Sequence, residues 1–233
     1  MPPRALVIIP AYNEAATIAD VVTAAVGYAP VLVVNDGSRD RTGEIAAAIP
    51  GCEVINHQTN THIPGAILDG FRFALAKGYD YAITMDAGLS HDPHAIGDLV
   101  AQPASDLVIT YRPGATNAPL YRRLLSKTAT FLVNTAIRQP RWKFWRRGYR
   151  DVTSGYRRYS RRAMESVVAA PMVCRSFDFH FEAVVVVSHA GLSITEFPIR
   201  YAYSNSSLNS RVVRQAFGTW LQVMAGLHRT KSR

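Results

Sequence analysis

Ala5-Leu6-Val7-Ile8-Ile9-Pro10-Ala11-Tyr12-Asn13-Glu14 decides the fold: six apolar residues without a charge, then an abrupt polar turn. A β-branched run of this length reads as a strand covered on both faces, as in parallel sheets. Two later runs repeat the device. Val31-Leu32-Val33-Val34 enters Asn35-Asp36-Gly37-Ser38, and Tyr81-Ala82-Ile83-Thr84-Met85 enters Asp86-Ala87-Gly88-Leu89-Ser90-His91-Asp92-Pro93. Helix-length stretches separate them, which is the βαβ pattern of a mostly parallel sheet flanked by helices, an α/β fold of Rossmann-like type. In such a sheet the strand ends line one crevice, so the three polar turns converge on one pocket.

Working outward, strands are predicted at residues 5–10, 30–35, 52–57, 81–85 and 106–111, and helices at 14–26, 40–48, 64–76 and 93–100. Asn13 and Ser38 are predicted as N-terminal helix caps. Beyond them a helix at 120–137, a strand at 155–160, an apolar helix at 179–189 and a strand at 195–203 complete the pattern. Residues 210–227 place Val212, Val213, Phe217, Leu221 and Met224 on one helical face. That basic amphipathic segment either packs on the core or lies on a membrane surface.

The chain has 233 residues, 48% of them hydrophobic and 18% charged, enough for one sizeable core and incompatible with disorder. Its two cysteines, Cys52 and Cys174, are far apart, which argues against a zinc site or a disulfide framework and for buried thiols in a reducing compartment. No apolar stretch approaches the ~20 residues of a membrane span, and Met1-Pro2-Pro3-Arg4 leads into a strand without a leader pattern. The expectation is a soluble or peripheral protein.

The net charge of +9 is unevenly placed. Arg138, Arg141, Lys143, Arg146, Arg147, Arg150, Arg157, Arg158, Arg161 and Arg162 face only Asp151, and Trp142, Phe144, Trp145 and Tyr149 are interleaved with them. This segment reads as a local anion-binding surface. Residues 142–147 suit the headgroup region of a membrane, where each cation contributes about 1 kcal/mol on anionic lipid. A solvated basic loop with its rings in the core, direct phosphate capture and stacking on nucleic-acid bases are the other readings of this stretch; the expectation is no nucleic-acid partner.

Asp36 follows an apolar strand and precedes Gly37, so its carboxylate reaches the crevice, either to bind a base or ribose through charge-assisted bonds or to cap the next helix as an Asx turn. Asp86 ends an equally apolar run, where a carboxylate needs a partner. A divalent cation bridging it to a diphosphate meets that need, and hard oxygen ligands suit Mg²⁺ or Mn²⁺; the other reading is a helix-capping aspartate.

These stretches, with Asp151-Val152-Thr153-Ser154-Gly155-Tyr156-Arg157 and Glu196-Phe197-Pro198-Ile199, resemble the family-two glycosyltransferases of GT-A type, and among them the polyprenyl-phosphate sugar synthases such as dolichyl-phosphate mannose synthase. The resemblance spans most of the chain. It implies a GT-A fold in one domain: a nucleotide-sugar-binding half (1–111), an acceptor-side half (112–209) and the C-terminal helix (210–233). It implies an inverting transfer from a nucleoside-diphosphate sugar to a polyprenyl phosphate, at the cytoplasmic face of a membrane. Pro10, Ala11, Tyr12, Glu14, Asp36, Asp86, Ala87 and Gly88 would hold the donor, and Asp86, Asp151 and Arg157 would serve catalysis. Gly88 stands where the family's Asp-x-Asp has its second aspartate, so metal use is expected to be weak or dispensable, with Asp86, Ser90 and His91 as ligands; the other reading of His91 is a structural turn histidine. Two further departures are Thr61-His62-Ile63-Pro64-Gly65-Ala66, in place of a glycine-rich turn, and Ser207, in place of a lysine at the diphosphate, which Arg211 or Arg214 would have to supply.

A phosphomonoester acceptor is already largely ionised at neutral pH, its second pKa being about 6, so it needs cations more than a base. Arg122, Arg123, Arg138 and Arg157 are the candidates, with Ser154 on the same side. A sugar hydroxyl acceptor would instead require a carboxylate base, from Asp151, Asp178 or Glu182. A glycan or natural-product acceptor, and a noncatalytic nucleotide-binding subunit, are the alternative readings.

Overall fold

A computed structural model describes residues 3–113, 120–137, 148–200 and 218–222, with the side chains of 120–126 and 129 outside that description. Seven strands, β1 (Ala5–Ala11), β2 (Val31–Asn35), β3 (Cys52–Asn56), β4 (Tyr81–Thr84), β5 (Leu107–Tyr111), β6 (Arg157–Ser160) and β7 (Ile194–Pro198), form one sheet in the order β3-β2-β1-β4-β6-β5-β7. Only β6 runs antiparallel, between β4 and β5. The helices are α1 (Ile18–Val26), α2 (Thr42–Ala47), α3 (His62–Ala76), α4 (Ala95–Ala101), α5 (Leu120–Ile137), α6 (Arg161–Ala169) and α7 (Phe179–His189).

Side chains alternate across a strand, and β1 uses both faces. Leu6 and Ile8 join Phe71 of α3, Val133 of α5, Met164 of α6 and Val184 of α7 in one core, while Val7 and Ile9 join Val22 of α1 and Ile96 of α4 in the other. Two apolar layers therefore hold the sheet rigidly between helices. Pro10 lies past the last β1–β4 pair, Ile8 with Thr84, so its missing N–H takes nothing from that ladder.

The chain builds β1, β2 and β3 to one side and then crosses back to place β4 on the other side of β1. The switch point between β1 and β4 leaves a crevice at their carboxyl ends, the position where open α/β sheets bind ligands.

Helix α6 was not among the predicted elements; its polar start, Arg161-Arg162, hides the apolar set Ala163, Met164 and Val167, and Ser160 caps it by accepting the Ala163 amide at 3.2 Å. The expected caps Asn13 and Ser38 work differently. Asn13 accepts from the Arg39 amide at 2.8 Å and Ser38 Oγ from the Asn13 amide at 3.0 Å, so the two strand-end turns clamp each other instead of capping α1 and α2.

Two arginines of the basic segment point inward. Arg158 is fully buried and donates to the carbonyls of Leu99, Val100, Gln102 and Pro103, closing the C-terminal end of α4. Arg157 is equally buried, bonded to the carbonyls of Val152, Ser154 and His180. Residues 142–147 lie outside the described residues. Of the C-terminal segment, residues 218–222 form a short helical stretch on the core, where Trp220 Nε1 donates to Leu132 O at 3.1 Å and Thr219 Oγ1 to Asp178 Oδ2 at 2.6 Å. Cys52 and Cys174 are free and half-buried. No helix among the described residues is long and apolar enough to cross a membrane.

Candidate active site

The three strand-end turns meet as their spacing predicted. The Asp36 amide donates to Ala11 O at 2.8 Å and the Met85 amide to Ile8 O at 3.0 Å, which places Asp36 and Asp86 on the same sheet edge on either side of β1. Two strand spacings separate them, about 10 Å, a span that a nucleoside diphosphate bridges.

On the β2 side, Asp36 is buried and accepts at Oδ1 from the Thr61 amide (2.8 Å), Thr61 Oγ1 (2.7 Å) and His57 Nδ1 (2.7 Å). Neither Thr61 nor His57 was singled out as a partner of Asp36, because only folding brings the start of α3 to the end of β2. All three bonds use one oxygen, leaving Oδ2 without a bond among the described residues. His62, in the predicted departure from a glycine-rich turn, adopts φ 62°, a left-handed conformation uncommon outside glycine. On the β1 side, Tyr12 is exposed, Pro10 half-buried and Ala11 buried. The Glu14 amide donates to Thr42 Oγ1 at 2.8 Å and its carboxylate accepts from Thr17 Oγ1 at 3.0 Å, so Glu14 secures the start of α1.

Asp86 has a side chain 47% exposed, and His91 grips it. The Asp86 amide donates to His91 Nδ1 at 3.3 Å, and His91 Nε2 stands 3.6 Å from Asp86 Oδ2. His91 is itself buried and stacked on Tyr156, with ring centroids 4.8 Å apart. Burial pushes its pKa down; Asp86 pulls the other way and Arg112 adds to the depression. A neutral ring accepting at Nδ1 carries its proton on Nε2 and has no lone pair for a cation. Of the two readings of His91, the geometry matches the structural one, a support for Asp86 and not a metal ligand, and Ser90 is likewise buried. Ala87 packs in the core, leaving only its backbone for a ligand, and the position of a Cβ on Gly88 has nothing within 4 Å.

No group of three or more His, Cys, Asp or Glu side chains among the described residues is placed to hold a cation by itself. One exposed carboxylate still fits Mg²⁺ or Mn²⁺, which keep their waters and take one or two protein ligands alongside substrate phosphates.

The acceptor side departs from expectation in several places. Arg112, at the end of β5, donates through Nε to Asp151 Oδ2 at 2.7 Å and through Nη2 to Thr153 Oγ1 at 2.8 Å. Burial alone would raise the Asp151 pKa, but the Arg112 guanidinium and the Thr153 bonds outweigh it and hold the carboxyl below its ordinary value. Asp151 is thus half of an ion pair and a poor base. Asp178 accepts from the amides of Arg175 and Ser176, and Glu182 from those of Val173 and Cys174, so both carboxylates anchor the loop before α7. Arg157 sits behind the site, and Ser154 is buried in a 2.7 Å bond with Thr110. Arg122 and Arg123 are on α5 with undescribed side chains; Arg138, Ser207, Arg211 and Arg214 lie outside the described residues. Arg112 could have been found by the strand-end rule that found Asp36 and Asp86.

Between the two sides lies Gly155, whose carbonyl accepts from Thr84 Oγ1 at 2.6 Å. A Cβ there would stand 2.9 Å from Asp86 Oδ1 and 3.0 Å from His180 Nε2. His180 is buried, with Nδ1 unpaired; burial, then Arg157 and His91, push its pKa well down. Sequence reasoning passed over it, although a histidine inside Phe179-His180-Phe181-Glu182 interrupts an otherwise apolar helix.

The chain is similar to known proteins. The sequence model of glycosyl transferase family 2 matches residues 6–168. The chain is 33% identical over 216 residues to the polyprenol monophosphomannose synthase of Mycolicibacterium smegmatis, covering 85% of this chain and 77% of that one. It is 29% identical to the undecaprenyl-phosphate mannosyltransferase of Micrococcus luteus, covering 91% and 90%. Among solved structures, glucosyl-3-phosphoglycerate synthase from Mycobacterium tuberculosis in complex with phosphoglyceric acid superposes with a TM-score of 0.71 at 18% identity, over 96% of this chain and 80% of that one. The same enzyme in complex with Mn²⁺, UDP-glucose and phosphoglyceric acid gives 0.68. This likeness is one of fold.

Proposed function

The chain belongs to glycosyl transferase family 2, and from that premise we propose that it moves a sugar from a nucleoside-diphosphate sugar to a polyprenyl phosphate at a membrane surface. The nucleoside lies along Tyr12 and Asp36, and the diphosphate reaches Asp86. A divalent cation held there by Asp86 would neutralise charge on the leaving diphosphate. An oxygen of the acceptor phosphate attacks the anomeric carbon opposite the diphosphate. The new C–O bond forms as the old one breaks, with inversion, and the nucleoside diphosphate departs with the electron pair.

One observation carries the choice of acceptor: Asp151, Asp178 and Glu182 are all committed, to Arg112 or to backbone amides. A hydroxyl acceptor would need one of them as a base; an ionised phosphate needs none. Arg112 is the cation we assign to the acceptor phosphate, since its charge acts on His91 and its side chain is 21% exposed. The similarity to two polyprenyl-phosphate mannosyltransferases supports the same acceptor.

The test is incubation of the full chain with labelled GDP-mannose or UDP-glucose, Mn²⁺ and undecaprenyl phosphate in detergent. Label should pass into the lipid and Asp86→Ala should abolish the transfer. Label found only on an added glycan hydroxyl, or undiminished lipid label in the variant, would overturn the proposal.

A further inference from the structure

We propose that His180 reads the sugar being transferred: its Nε2–H donates to a hydroxyl of the donor hexose, beside the Asp86 carboxylate. The inference rests on the donor-site reading above and adds to it a specificity residue.

The argument begins with a pair of atoms. Asp86 Oδ1 and His180 Nε2 lie 2.9 and 3.0 Å from one point, the position of a Cβ on Gly155, and are therefore no more than 5.9 Å apart. That position is one bond length from the Gly155 Cα, so only a glycine lets the two side chains approach this stretch of backbone so closely. Thr84 holds the Gly155 carbonyl, so this backbone is fixed to β4, two residues before Asp86 itself.

The proton on His180 can be placed. Its Nδ1 is buried with no partner. A buried orphan N–H is rarer than an under-satisfied acceptor, and the Arg157 guanidinium, which donates to the His180 carbonyl, puts positive charge near the ring. Both considerations leave a lone pair on Nδ1 and the hydrogen on Nε2. The ring makes no hydrogen bond among the described residues, so this N–H is an unused donor on the same side of Gly155 as Asp86 Oδ1.

A donor and a carboxylate acceptor no more than 5.9 Å apart match a hydroxyl, which accepts from the first and donates to the second. A bare phosphate oxygen would satisfy His180 but face Asp86 with like charge. A cation would need the Nε2 lone pair and would strand a hydrogen on Nδ1, whereas metal-bound histidines give that hydrogen to an acceptor. In the proposed reaction the group that carries hydroxyls past Asp86 is the hexose.

The experiment compares affinities of the full chain, wild type and variants, for GDP against GDP-mannose and for UDP against UDP-glucose, by calorimetry. His180→Ala should weaken the sugar nucleotide about tenfold and the matching diphosphate less than twofold, and His180→Gln, whose amide also donates, should recover most of the loss. A monodeoxy series of the preferred sugar nucleotide on wild-type protein gives a readout that needs no variant: one member should lose about tenfold. Equal losses on diphosphate and sugar nucleotide, a glutamine variant no better than alanine, or a deoxy series without a weak member would overturn the inference. Wild-type protein that binds neither diphosphate would overturn the donor-site reading as well, which separates the two failures.

Discussion

His91 holds Asp86 from two directions, taking its backbone amide at Nδ1 across 3.3 Å and standing 3.6 Å from its carboxylate at Nε2. His91→Phe keeps a ring against Tyr156 but loses both contacts. Transfer should fall about tenfold, the equivalent of about 1.4 kcal/mol and the size of one good hydrogen bond. Initial rates measured beside thermal melts check this; a variant with wild-type rates would show that Asp86 needs no support.

Protonation provides a second check. Burial holds the pKa of His91 and of His180 below the ordinary 6.5. Between that value and each lowered one, the unfolded chain binds more protons, so stability is full above about pH 6.5 and is lost as pH falls. Each ring contributes a slope of up to about 1.4 kcal/mol per pH unit. Urea midpoints at pH 7, 6 and 5 should decline, and the decline should be shallower in His180→Gln. Asp151, with its pKa held below 3.8, adds its own loss only in stronger acid.

The Arg112–Asp151 pair is largely buried, at 21% and 12% side-chain exposure. Removing one partner strands the other, so Arg112→Ala should lower stability by about 3 kcal/mol. Arg112→Ala combined with Asp151→Asn should recover part of that loss in denaturant melts while transfer stays low. Recovery of transfer in the double variant would remove Arg112 from the chemistry.

Thr61→Val preserves shape and deletes one of the three donors on Asp36 Oδ1. Affinity for the preferred nucleoside diphosphate should fall about three- to tenfold, at about 1 kcal/mol per bond, with little change in maximal rate. Gly65→Ala should act alike, because a Cβ there would meet Thr61 Oγ1 at 2.2 Å.

Arg158 separates structural from functional arginines. Arg158→Met would orphan the carbonyls it satisfies at Leu99, Gln102 and Pro103, at about 1–3 kcal/mol for each group left dry. The melting temperature should drop sharply, while transfer per folded molecule at low temperature should remain near wild type.

The first five strands and four helices were readable from period and punctuation because β1, β2, β4 and β5 are mostly apolar and β3 alternates, and each is bounded by turn residues. The meeting of Asp36 and Asp86 followed from strand-end logic alone. Charge was read less well. Arg157 and Arg158 stand in a run of cations that looks like a surface, yet strand alternation and the β4 and β5 neighbours turn both inward, where backbone carbonyls replace acids as partners. For His91 the sequence left a metal ligand and a structural turn histidine both open; the turn folds its ring against Asp86. His180 and Thr61 act through segments distant in sequence, and no local pattern states such distances.

The placement of β6 bears on how this protein can be divided. A chain stopped at residue 111 would keep the first five strands but lose the one between β4 and β5, baring the hydrogen-bonding edges of both and leaving them to pair with other copies. The segments before and after residue 111 are therefore woven into a common frame, and exchanging the later segment between relatives should fail at such a cut and succeed only by grafting surface loops onto an unbroken sheet.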